Sequence, residues 1–216
     1  PFESNLIVEA WGHIEMFIRK ALVVGMAACA LTGCKLESGE VQLHESLGSV
    51  SFEGGKTLNL TTGFGSGAYH RPGDPANVFY TVTDRGPNIA CDETLAVIGI
   101  DNFCNGDLAG KVFPLPEFTP TIYKIALKQS RFDDGMSYEI LAKIPLKDAA
   151  GVPITGLPNP FTQTDTENAY DAAGHLIGFD VNGLDVEALV TLKNGSFWIA
   201  EEYGPSLAHV AADGRI

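Results

Sequence analysis

The sequence is short of positive charge. Lys and Arg number 14 against 27 Asp and Glu, a formal net charge of −13. Nucleic-acid binding draws its affinity from clustered cations set against phosphates, and no basic patch gathers anywhere along the chain, so that class of partner is excluded. Cysteine is scarce as well: four residues, with no CxxC and no Cys/His spacing of the kind that holds zinc. There are five histidines, and no Ser, His and acid fall in a recognisable order, so a Ser-His-Asp triad has no support. Ser66 stands in FGSGA, which fails G-x-S-x-G at its first position. GFGSGA (63–68) fits a dinucleotide glycine pattern, yet His70-Arg71-Pro72-Gly73 follows where that fold requires a helix. Helix-period patterning is scarce outside the N-terminal stretch, and the apolar run Ala21 to Ala30 is too short to span a bilayer.

What is present is an all-β texture. Apolar residues make up 45% of the chain, enough to fill a core, and 24 glycines and 12 prolines punctuate short runs rich in Val, Ile, Phe and Tyr. Strands are expected near 57–61, 65–69, 77–83, 121–127, 138–144, 175–179, 187–192, 196–200 and 206–211. Lys193-Asn194-Gly195 is a hairpin turn between two of them, since Asn-Gly supplies the positive φ angles such turns need. Asp213-Gly214 announces another turn. The polar, Pro/Gly-rich segment 148–171 is expected to be a loop excursion.

The N-terminal stretch reads as an address. In MFIRKALVVGMAACALTGC (16–34), Arg19 and Lys20 precede the apolar run, and Leu31-Thr32-Gly33-Cys34 closes it with small residues before a cysteine. This resembles the lipobox of bacterial lipoproteins. The resemblance implies a signal peptide over 16–33 and diacylation of Cys34, which becomes the mature N-terminus. The product is then a lipid-anchored protein of the bacterial envelope, on its periplasmic or cell-surface face, at the outer membrane in a Gram-negative cell. Residues 1–15 precede the first methionine and read as upstream sequence, and 34–49 as an acidic tether to a domain over 50–216. Cys91 and Cys104 remain; in an oxidising compartment they are expected to close the loop CDETLAVIGIDNFC as a disulfide, with two free thiols as the alternative.

Two distant stretches match each other. FYTVTDRGPN (79–88) and FWIAEEYGPS (197–206) align without a gap, pairing Phe79 with Phe197, Asp84 with Glu202 and Gly86-Pro87 with Gly204-Pro205. Repeated hairpins with a long-range self-match point to a β-propeller of antiparallel blades, with a β-sandwich as the rival. Blades of about 40–50 residues fit about four times between Cys34 and Ile216, so the propeller is expected to be incomplete and the chain to be the N-terminal part of a longer protein. An acid at a strand end, followed by Gly-Pro to turn the backbone away, points its carboxylate at the channel mouth. Two such acids from separate blades are placed to share a hard cation; the alternative is that Asp84 and Glu202 accept hydrogen bonds from turn amides. Phe79 and Phe197 are read as core.

The ordered strings GFGSGAY (63–69), TVTDRGPN (81–88), FPLPEFTPTIYKI (113–125), GLPNP (156–160), GLDVEALV (183–190), GSFWIAEEYGPSLAHV (195–210) and DGRI (213–216) resemble the phytase-like family, also described as "esterase-like activity of phytase". The resemblance covers nearly all of the chain from Val50 onward. It implies a propeller hydrolase of phosphate esters or other esters, acting on a small molecule, in which mouth acids hold Ca²⁺ and the metal activates water. The positions carried over are Asp84, Arg85 and Asn88; Asp185 and Glu187; and Glu201, Glu202 and Tyr203. Glu187, Glu202, Asp185 and Asp84 are the metal ligands it implies. Glu202, Asp84 and Arg85 are catalytic, and Arg85, Asn88 and Tyr203 bind substrate, with Arg85 either an anion clamp or a partner for a neighbouring acid. Asp185 and Glu187, two apart, are expected on one face of a strand. The acid-rich strings of calcium-dependent propeller phytases are missing around GDPANVFY (73–80). A calcium-dependent lactonase and a non-catalytic propeller that binds a ligand or partner are the alternatives.

Overall fold

A computed structural model describes residues 40–129, 135–159 and 167–216. The signal-peptide stretch and Cys34 lie outside the described residues. Within them the chain is all-β with one five-residue helix, and its strands form four sheets, none of them closed. No described helix is long and apolar enough to cross a membrane.

The largest sheet is an antiparallel meander of β3 (Gly67–Tyr69), β4 (Val78–Val82), β7 (Thr121–Gln129) and β8 (Met136–Pro145), in that order. β4 (VFYTV) and the first half of β7 (TIYKIA) are β-branched and aromatic, as suits central strands buried on both faces. β8 lies at the edge and alternates half-buried with exposed residues. A second meander joins β11 (Val186–Thr191), β12 (Phe197–Glu201) and β13 (Ser206–Val210). Its first hairpin turns at Asn194-Gly195 as the sequence predicts, with Thr191 opposite Phe197. The two meanders pack face to face through one core: Tyr80 and Val82 of β4, Ile122 of β7, Val186 and Leu189 of β11, Phe197 and Ile199 of β12, Val210 of β13, and Leu146. Such packing serves adjacent propeller blades and sandwich sheets alike.

The third sheet, β10-β9-β6-β5, is built from two-residue strands: β5 (Ile89–Ala90), β6 (Lys111–Val112), β9 (Ala169–Tyr170) and β10 (Leu176–Ile177). Beside it Phe52, Ile89, Cys91, Ile98, Cys104, Val112 and Tyr170 form a second core. Cys91 and Cys104 are joined as a disulfide within this core, Cα to Cα 5.8 Å. β1 (Ser46–Ser51) and β2 (Thr57–Thr61) make a separate hairpin.

Several expectations are corrected. β1 starts at Ser46, inside the stretch read as a tether, because Ser49 and Val50 find partners in Asn59 and Leu58. The sheets are not all antiparallel: β6 and β9 run parallel, since the long excursion between them brings the chain back in the same direction. The disulfide loop holds a helix, α1 (Thr94–Ile98), capped by Gly99 in the left-handed region. The strand expected over 175–179 shrinks to Leu176–Ile177.

The gapless self-match also fails as a match of faces. In β12 the buried positions are Phe197, Ile199 and Glu201, whereas β4 turns Tyr80 and Val82 to the shared core. Tyr80 is the residue that packs on Phe197, at 5.6 Å between ring centroids, while Phe79 is half-buried against His70. Side chains alternate with period two, so an offset of one residue between two similar strings exchanges inside for outside.

Candidate functional site

The strings quoted separately in the sequence converge at the strand ends of the two meanders. The corner after β4 runs Asp84-Arg85-Gly86-Pro87, the corner after β12 runs Glu202-Tyr203-Gly204-Pro205, and Asp185 enters β11 between them. The backbone amide of Glu202 donates to the Asp185 carbonyl at 3.0 Å, and that of Arg85 donates to Asp185 Oδ1 at 3.3 Å. Asp185 therefore stitches the two corners together, and at 1% exposure it is all but sealed from solvent.

Each corner is shaped by local chemistry. Gly86 has φ of +91°, and a Cβ there would sit 2.3 Å from the Phe118 ring, so neither the conformation nor the space admits a side chain. Asp84 Oδ1 accepts from the Gly86 amide at 2.8 Å, an Asx turn, and Asn88 Nδ2 donates to the Gly86 carbonyl at 3.0 Å. Gly156 of GLPNP lies so close beneath Arg85 that a Cβ would fall 1.9 Å from the Arg85 carbonyl oxygen. In the second corner Glu201 accepts turn amides: Tyr203 N at 2.6 Å and Gly204 N at 3.0 Å. Glu201 is buried and Glu202 exposed.

The acids gather as a result. Oxygens of Asp185, Glu187 and Glu202 all lie within 4.8 Å of one another. Glu187 reaches this set through a β-bulge: Val186 stands opposite Glu201 and Ala188 opposite Ala200, leaving Glu187 as the extra residue. Bulges bend a strand and re-aim its side chains. The expectation that Asp185 and Glu187 share a face by regular alternation is thus corrected; Asp185 precedes the strand and the bulge brings the two together. Asp84 adjoins the set without being one of the three, and its charge acts on both Asp185 and Glu187.

The electrostatics follow from crowding. Burial pushes Asp185 up to about 7; the Arg85 guanidinium opposes this, and the negative charges of Glu187 and Asp84 add to it. Glu187 is raised by burial, then by Glu202 and Asp84, and Asp84 is raised by burial against the pull of the Gly86 amide and Arg85. Arg85 is held firmly charged: burial works against it, but Asp185, Tyr203 and Glu167 outweigh that. Asp185 and Arg85 are thus both raised, because one arginine faces more acids than it can neutralise.

Arg85, Asn88 and Tyr203, read from the sequence as substrate contacts, each hold partners within the protein. Arg85 Nε pairs with Asp185 Oδ2 at 3.1 Å and Nη1 with Glu167 Oε1 at 2.5 Å, so of the two roles read from the sequence the geometry displays the ion pair. Tyr203 is 4% exposed and donates its hydroxyl to the Gly156 carbonyl at 2.9 Å. Burial, together with Asp185 and Glu167, raises its pKa against the opposing Arg85. Asn88 closes its own corner. The sequence offered no sign of Glu167, whose carboxylate also lies 3.8 Å from Lys111 Nζ, because the residue types around it carry no periodicity to place it. Glu201 was visible only as a match to the family string; the burial that gives it the turn-holding role depends on strand register.

The model of the family described as "Phytase-like: Esterase-like activity of phytase" matches residues 61–216. No curated protein and no solved structure matches the chain.

Proposed function

This chain belongs to the phytase-like family, and from that premise we propose that it is a metal-assisted hydrolase of phosphate esters or other esters, with its two meanders as successive blades of a propeller. The observation that carries the reading is the convergence of Asp185, Glu187 and Glu202. Two oxygens on opposite sides of a Ca²⁺ ion lie about 4.6–5.2 Å apart, so a set within 4.8 Å fits one such ion. The donors are all carboxylate oxygens, which suits a hard cation such as calcium and not zinc or copper. Asp185 and Glu187, raised by burial and then by neighbouring carboxylates, also gain from a bound positive charge.

Asp185, Glu187 and Glu202 are the residues assigned to hold the ion. When bound, a divalent cation polarises the ester oxygen and makes a coordinated water more acidic. The chain supplies the rest. Arg85 keeps Asp185 in place through two contacts, one from its backbone and one from its side chain. Glu201 fixes the turn that carries Glu202. Asp84 borders the cluster with its carboxyl raised, which makes it the residue we assign to accept the proton of the attacking water. The domain is proposed to be tethered to the cell envelope by acyl chains on Cys34.

Calcium should raise the melting temperature of the full chain, and Glu202→Gln should reduce both that rise and the turnover of a phosphomonoester. An unchanged calcium response together with unchanged turnover in Glu202→Gln defeats the assignment. Calcium-dependent stabilisation with no turnover across phosphate esters, carboxylic esters and lactones favours a binding role for the same mouth.

A further inference from the structure

The guanidinium of Arg85 bridges two carboxylates of different standing. Asp185 belongs to the acidic cluster, its side chain 2% exposed, and holds Nε. Glu167 is 18% exposed, stands outside the cluster and holds Nη1. The opposite oxygen of Glu167 faces Lys111 Nζ, which is 25% exposed. The fold keeps Lys111 there: β6 pairs in parallel with β9, and the Lys111 amide donates to the Asn168 carbonyl at 2.9 Å, directly beside Glu167. Two cations from distant parts of the chain thus converge on one carboxylate, and Arg85 is one residue removed from the acidic cluster through Asp185. An arginine fork with a lysine beside it is the donor set that recognises phosphate or carboxylate.

We propose that Glu167 is a placeholder in an anion seat formed by Arg85 and Lys111, and that the anionic group of a substrate displaces it. This rests on the hydrolase reading for its biological meaning, but the seat itself does not depend on that reading. Asp185 is the fixed partner of Arg85, sealed between the two corners. Glu167 is the replaceable one, because its carboxylate is reachable from solvent. A phosphate dianion carries more charge than the carboxylate it replaces and offers oxygens to both the fork and the lysine. Anionic esters are therefore admitted and neutral esters gain nothing from the seat, so Glu167, Arg85 and Lys111 determine specificity.

The test is inorganic phosphate binding to the full chain by calorimetry, with calcium and again in EDTA. Glu167→Gln removes the competing charge and is expected to tighten phosphate binding by about tenfold in both conditions. Adding Lys111→Gln in that background should reverse most of the gain. Phosphate affinity that stays the same or weakens in Glu167→Gln overturns the proposal, and a lowered calcium affinity in that variant assigns Glu167 to bracing Asp185 instead. Should Glu167→Gln fail to fold, Lys111→Gln alone decides: weaker phosphate binding at an unchanged melting temperature supports the seat, and unchanged binding removes it. A wild-type chain with no calcium response and no turnover, in which Glu167→Gln still tightens phosphate, loses the hydrolase reading and keeps the seat.

Discussion

At the scale of single residues, the site is governed by more carboxylates than Arg85 can neutralise, with Asp185 the buried one among them. Asp185 has a folded-state value of about 7, well above that of an unfolded chain. The folded protein therefore binds a proton that the unfolded protein releases, and stability falls as pH rises from the unfolded value through the folded one. Asp84 and Glu187 are shifted in the same direction. The metal-free protein should thus melt at a lower temperature at pH 8 than at pH 5.5, and Asp185→Asn should flatten that slope. Thermal melts in EDTA across this range measure it; a slope that persists unaltered in Asp185→Asn would assign the pH dependence to other groups. Calcium should restore most of the loss at pH 8, since it stands in for the missing protons.

At the scale of elements, one extra residue in β11 has more consequence than any strand length. The bulge between Val186 and Ala188 places Glu187 beside Asp185 and Glu202 while Val186 and Leu189 stay in the core. Deleting Ala188 leaves an alternation that still buries both apolar residues but removes the bend that aims the glutamate. Such a variant should keep its β circular dichroism spectrum and lose most of the calcium-induced rise in melting temperature. Retention of the full rise shows that the bulge is incidental. The strands themselves were legible because β-branched and aromatic runs between Gly/Pro turns have few other solutions; Val78–Val82, Thr121–Gln129 and Phe197–Glu201 fall within two residues of expectation. The bulge was not legible, because a strand with one residue too many reads like a strand. Nor was the parallel pairing of β6 with β9, where two-residue strands leave almost no pattern.

At the scale of the whole molecule, the proposed lipid anchor and the acidic mouth make separable demands. Cys34→Ala should move the protein from the membrane fraction to the soluble fraction while leaving calcium-induced stabilisation intact, because the acidic cluster lies wholly within the described domain. Membrane association that survives the substitution ends the anchor proposal. The sequence by itself determined the all-β class, the hairpin at Asn194-Gly195 and the acids at two Gly-Pro corners, because periodicity and turn chemistry are local properties of the chain. Only the tertiary structure decided which acid faces the cluster and which holds a turn amide, that Tyr80 and not Phe79 packs on Phe197, and that Arg85 is shared between Asp185 and Glu167. Those outcomes depend on register and on contacts between residues far apart in the chain, and one residue of offset exchanges the buried face of a strand for its exposed one.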